Sequence, residues 1–256
     1  MLSFQAHGAG DAVLLVHSGG LGGRQWRRLA ADLATTHRAI VPELVGYGDS
    51  PPLAPGEPFD FTRDVAELLS VVDAVAPAGA PLRLVGHSYG GLLAAHVALA
   101  RPAQIRALAL YEPVIFAMLD RRDELSGIRT TWEPDASGVD EAWLAAFVAW
   151  WNGPGAWSTL AEDVRASFRR VGWKLFREVI SLSADPTPAA RFASIAAPTL
   201  LMGGALTPAL EQRVLQTLAA RLPHATLTML DGAGHMGPIT HAATVNAAFA
   251  AFIRAN

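Results

Sequence analysis

Short, nearly unbroken apolar runs recur along the chain at 13–17, 39–42, 82–86, 107–111, 199–203 and 226–230, each closed by turn residues. Runs this short and nearly continuously apolar predict strands buried on both faces. A further run at 2–5 predicts an edge strand. Between them lie longer stretches with apolar residues three and four apart. At 24–34 these are Trp26, Leu29, Ala30 and Leu33; at 62–75 they are Val65, Leu68, Leu69 and Val72. The same spacing predicts helices at 92–100, 208–221 and 238–253. Thr207 is the expected cap and Pro208 the expected first residue of the helix at 208–221. Strands alternating with helices imply an α/β fold, a mostly parallel sheet with helices on both faces.

The alternation stops between about 114 and 193. That segment predicts helices at 141–151, 160–171 and 173–182 and contains no strand-like run. Trp132, Trp143, Trp150, Trp151, Trp157 and Trp173 all fall within it. The division expected is a core of residues 1–113 and 194–256, with 114–193 as an inserted helical lid.

Composition narrows the class. An apolar fraction of 51% with 17% charged residues suits a packed globular domain. A net charge of −3, with no Lys/Arg run, gives no electrostatic reason to expect nucleic acid or an anionic membrane as partner. The chain has no cysteine, which excludes disulfides, thiolate metal sites and a cysteine nucleophile. The N-terminal residues lack a basic start followed by a long apolar run, and no stretch approaches the ~20 apolar residues of a membrane helix. The expectation is a soluble, cytoplasmic protein acting on a small molecule, as a monomer or homodimer.

The strongest local signal is Gly86-His87-Ser88-Tyr89-Gly90-Gly91, between the predicted strand at 82–86 and the helix at 92–100. A G-x-S-x-G turn in this context holds its serine in strained backbone at the carboxyl edge of a sheet, with a helix N-terminus beneath it. Ser88 is therefore the candidate nucleophile, and His87 faces away from the reacting side as a structural residue. A serine hydroxyl needs a base. His235, in the glycine-rich loop after the last strand, is the candidate; His96, His224 and His241 read as packing, turn or surface residues.

Together these features resemble the α/β-hydrolase superfamily over nearly the whole chain. His17-Ser18-Gly19-Gly20 is similar to that family's oxyanion loop, with serine at 18 where glycine is usual. Gly46-Tyr47-Gly48-Asp49-Ser50 is similar to its second-strand turn, and Gly234-His235 to its histidine loop. The resemblance implies an oxyanion hole made by the backbone N–H groups of Tyr89 and Gly19, with Gly20 as the alternative to Gly19. It also implies a carboxylate after the seventh strand, but that position holds Leu206. Some family members carry the acid after the sixth strand, where this chain has Glu112. Asp231 and Asp185 are the alternatives for that role, and Glu112 could instead cap the lid hinge.

The function implied is serine hydrolysis of an ester or lactone with a largely apolar or aromatic group, through an acyl-enzyme on Ser88. Trp143, Trp150 and Trp151 are the candidate substrate-binding residues. Carbon–carbon bond hydrolysis or acyl transfer on the same residues is the alternative. A ligand-binding member without turnover is kept open by Leu206. No cofactor is implied and no metal: the histidines lack ligand spacing, and Gly19-Gly20-Leu21-Gly22-Gly23 does not match a dinucleotide fingerprint.

Overall fold

The computed structural model describes residues 1–119 and 140–256. Seven strands form one sheet: β1 (Phe4–His7), β2 (Ala12–Val16), β3 (Arg38–Pro42), β4 (Leu82–His87), β5 (Ile105–Tyr111), β6 (Thr199–Gly204) and β7 (Ala225–Leu230). Their spatial order is β1-β3-β2-β4-β5-β6-β7. β1 runs antiparallel to β3 at the edge, and the other pairs are parallel. The edge strand begins two residues later than the run at 2–5 suggests, because the Leu2 side chain is buried in the core rather than paired on the edge.

Alternation along the central strands divides the core between two faces. Val13 and Leu15 of β2 face one way, packing with Trp26 and Leu29 and with Phe249 and Ile253 near the C-terminus. Leu14 and Val16 face the other, toward Leu68, Val72, Leu92 and Leu93. The helices supplying these layers are α1 (Arg27–Leu33), α2 (Phe61–Val75), α3 (Tyr89–Ala100) and, further along, α7 (Ala209–Arg221), α8 (Gly237–Thr240) and α9 (Ala242–Ala255). The expected helix at 238–253 is thus two helices that meet at His241, the residue flanking both.

Between β5 and β6 lie α4 (Glu141–Asn152), α5 (Ala156–Thr159) and α6 (Glu162–Ser183), which form the inserted lid. Gly172 does not break α6. It is buried in a continuous helix of 22 residues, so the expected helices at 160–171 and 173–182 are one. Trp132 lies outside the described residues.

Candidate active site

β4 and β5 end in register, His87 opposite Tyr111, so the residue after each stands at the same carboxyl edge. Those two residues are Ser88 and Glu112, the non-glycine residues with positive φ among the described residues, at 54° and 42°. Backbone held this way costs about 1–3 kcal/mol and persists only where the surroundings enforce it. For Ser88 the enforcing contacts are close. Its N–H donates to Tyr111 O at 3.0 Å. A Cβ on Gly86 would lie 2.5 Å from Gly90 O, and one on Gly90 would overlap the backbone of Val16 and His17. Glycine is required at both positions so that β2, β4 and α3 can close around the turn.

His235 connects the two. Ser88 Oγ donates to His235 Nε2 at 2.9 Å, and His235 Nδ1 donates to Glu112 Oε2 at 2.7 Å. The carboxylate is saturated by its neighbours: Gly204 N–H donates to Oε1 at 2.7 Å and Thr207 Oγ1 donates to Oε2 at 2.6 Å. Thr207 therefore does not cap α7, and Pro208 takes the cap position. All three side chains of the hydrogen-bonded chain are buried. A hydroxyl, an imidazole and a carboxylate so aligned can move a proton from serine to histidine and stabilise the resulting imidazolium.

The alternatives for the acid sit elsewhere. Asp185 pairs with His96 at 3.2 Å and Asp231 is exposed in the turn after β7. Leu206 projects to the surface at 70% exposure. Of the two glycines considered for the oxyanion loop, Gly20 spends its N–H on Tyr47 Oη at 3.0 Å. The Gly19 and Tyr89 N–H groups have no protein acceptor among the described residues. Ser18 donates its N–H to Gln25 Oε1 at 3.0 Å, which fixes the loop that the unusual serine occupies.

His87 is structural, as expected, but its partner Gln25 and the loop-fixing Tyr111 escaped sequence reasoning. Gln25 Nε2 donates to His87 Nδ1 at 3.0 Å, and His87 Nε2 donates to the His235 carbonyl at 2.9 Å. Burial, and next the adjacent His235, hold His87 well below the usual imidazole range, so it stays neutral in this bridge. Tyr111 Oη donates to Gly234 O at 2.8 Å, fixing the same loop. Nothing in the local sequence marks these as a set, because they converge from four separate elements.

The cavity above Ser88 has a volume of about 490 Å³. Phe116, Phe147, Trp151, Phe168 and Leu175 give it apolar walls. Trp151 stacks on the His235 ring, with centroids 3.6 Å apart and planes 19° from parallel. Trp143 and Trp150 are not among its lining residues, contrary to expectation. Trp143 stacks on Phe147 and meets Phe176 edge-on, while Trp150 packs against Trp151. The reason is helical geometry: at about 100° per residue, positions 143 and 150 fall on nearly the same side of α4, whereas 151 lies about 80–100° round from both, on the side that meets the cavity. Among the described residues no group of three or more His, Asp or Glu side chains is placed to hold a metal ion, and no helix is long and apolar enough to cross a membrane.

A family model described as "Alpha/beta hydrolase family" matches residues 13–248. The chain belongs to the alpha/beta hydrolase family. It is a hydrolase of that type. Polyketide synthase ThaQ of Burkholderia thailandensis is 29% identical over 258 residues, spanning 96% of this chain but 12% of that protein's length. The pimeloyl-[acyl-carrier protein] methyl ester esterase of Xanthomonas campestris pv. campestris is 27% identical over 266 residues, covering 97% of each chain. Est816, described as an N-acyl homoserine lactone degrading enzyme, superposes with a TM-score of 0.74 over 98% of this chain and 96% of its own, at 20% identity.

Proposed function

We propose that the protein is a serine hydrolase that cleaves an ester or lactone bearing a largely apolar or aromatic group, through an acyl-enzyme on Ser88. The observation that carries this reading is the unbroken chain Ser88–His235–Glu112, whose first two members line the cavity. His235 takes the proton as Ser88 Oγ attacks the carbonyl, then returns it to the leaving oxygen. Glu112 holds the imidazole in the Nδ1–H form and stabilises its charge without accepting the proton. The N–H groups of Gly19 and Tyr89 receive the oxyanion, a contribution of about 3 kcal/mol per donor. Water then enters, activated by His235, and frees the acid.

Residues 114–193 act as the lid, and Trp151 is the lid residue in contact with the reacting centre. The apolar walls favour uncharged acyl or alcohol groups. The ester assignment draws support from the methyl ester esterase relative, which matches along its length. The test is fluorophosphonate labelling together with burst kinetics on p-nitrophenyl esters. Wild type is expected to label at Ser88 and show a burst, and Ser88→Ala to do neither. Full labelling of that variant would sink the assignment.

A further inference from the structure

The cavity walls are apolar almost throughout, but the lid helix α6 inserts a carboxyl group into them. Glu178 lines the cavity and is 1% exposed. Its two oxygens are unlike. Oε1 accepts from Lys174 Nζ at 2.6 Å and from Tyr47 Oη at 3.0 Å. Oε2 is buried and has no hydrogen-bond partner among the described residues. It sits over the oxyanion loop, since a Cβ on Gly19 would lie 2.5 Å from it.

The anchoring of Oε1 is elaborate. Lys174 Nζ also donates to Asp64 Oδ2 at 2.7 Å, Tyr89 Oη donates to the same oxygen at 2.8 Å, and Val45 N–H donates to Oδ1. The ammonium is enclosed by aromatic faces, 4.2 Å from the Phe59 ring centre. One network thus grips Gly20 through Tyr47, Tyr89 through Asp64, and Glu178 through Lys174. An open carboxyl oxygen is costly to bury without a partner. Burial raises the Glu178 carboxyl to about 7, against the pull of Lys174.

We propose that Glu178 is a substrate-recognition residue whose Oε2 accepts a hydrogen bond from a hydroxyl or amide N–H carried on the carbon α or β to the scissile carbonyl. The α or β position follows from Oε2 lying beside Gly19, where the carbonyl oxygen is held in the proposed mechanism. The inference therefore rests on that mechanism and specifies its substrate: an acyl group apolar at its far end and bearing a donor near the reacting carbon.

The experiment compares phenyl butyrate, phenyl 2-hydroxybutyrate, phenyl 3-hydroxybutyrate and phenyl 3-methoxybutyrate on wild type, Glu178→Gln and Glu178→Asp. A glutamine must turn its oxygen to Lys174, which cannot accept a hydrogen bond, so its NH₂ meets the substrate donor. Wild type is expected to favour at least one hydroxy ester over butyrate, by about tenfold or more in kcat/KM, with no gain for the methoxy ester. In Glu178→Gln that preference is expected to fall within about threefold, and Glu178→Asp, which withdraws the oxygen by one methylene, is expected to reduce it. Wild type without a hydroxyl preference, or a folded Glu178→Gln that keeps it, would overturn the inference. Fluorophosphonate labelling of wild-type Ser88 separates the two readings. Labelling with indiscriminate turnover removes the role of Glu178 and leaves the hydrolase standing; absence of labelling and of turnover removes both.

Discussion

Replacing Glu112 by glutamine tests the proposed acid at one atom. The carboxylate now accepts from three donors: Gly204 N–H, Thr207 Oγ1 and His235 Nδ1. An amide can serve them in two ways. With its oxygen on the Thr207 and His235 side, its NH₂ faces Gly204 N–H, two donors in a buried space, at about 1–3 kcal/mol. With its oxygen on Gly204, its NH₂ faces Thr207, whose hydroxyl can rotate to accept, and His235 Nδ1. The imidazole then adapts by moving its proton to Nε2, and every buried group is satisfied. The second arrangement wins, and it is the inactive one, because Nε2–H cannot accept from Ser88. The expected result is a kcat lower by roughly 10³–10⁴-fold, or about 4–5.5 kcal/mol, with thermal stability near that of wild type. Turnover of p-nitrophenyl butyrate and the rate of fluorophosphonate labelling measure the loss. Nitrogen chemical shifts of His235 report the tautomer directly. A folded variant retaining more than a tenth of wild-type kcat would refute the reasoning and remove Glu112 from the mechanism.

Other consequences are also measurable. Trp151→Ala removes the ring stacked on His235 and is expected to lower kcat/KM for phenylacetyl esters by about tenfold, and for acetyl esters by less; equal losses would argue against a role in binding. His87→Ala leaves the His235 carbonyl and the Gln25 amide without their bridge, which should cost about 1–3 kcal/mol in urea unfolding and lower kcat more than it raises KM. Lys174→Met leaves the buried Asp64 and Glu178 uncompensated, with an expected loss of about 3–5 kcal/mol. Glu211, buried in the first turn of α7 with neither oxygen hydrogen-bonded among the described residues, is held well above the usual carboxylate range by burial and then by Glu112. The folded state keeps that proton where the unfolded state releases it, so the group lowers stability as pH rises above 4.5. Glu211→Gln should therefore gain stability relative to wild type between pH 5 and pH 8, and parallel urea midpoints across that range would contradict this.

The five central strands were legible because they are largely buried on both faces, so hydrophobicity alone marks them: β2 reads Ala-Val-Leu-Leu-Val with no polar residue, whereas β7, expected to be equally buried, lies at the sheet edge with no fully buried residue. Ser88 was legible because the turn demands glycine at 86 and 90 for steric reasons local to the sequence. Glu112 required a different kind of inference, since nothing beside it announces a positive φ or a distant histidine. Spacing put at least two of the lid tryptophans on one helix face, and Trp143 and Trp150 do share one, but spacing does not say which face meets the cavity, and there it is Trp151. Glu178 was illegible for a similar reason. Lys174 and Glu178, four apart on a helix, usually mark a solvated face, whereas here that face is turned inward against Tyr47 and Asp64.

The relocated acid explains the loop after β6. In the proposed arrangement the carboxylate needs two fixed donors besides the imidazole, and it takes both from this loop: the N–H of Gly204 and the hydroxyl of Thr207. β5 and β6 are neighbours in register, Tyr111 opposite Met202, so a residue one step past β5 lies within reach of that loop. An acid at 206 would have to turn inward from a position that is 70% exposed. Glu112 starts inside, and its positive φ turns the side chain along the sheet edge toward His235. The loop after β6 thus keeps the work of holding a carboxylate while supplying none. Leu206 is then free to vary, and Thr207 is not. Thr207→Val should strip one donor from Glu112 and cost activity, whereas Leu206→Asp should neither replace nor rescue Glu112→Gln; rescue would show that the acid can be supplied from either strand.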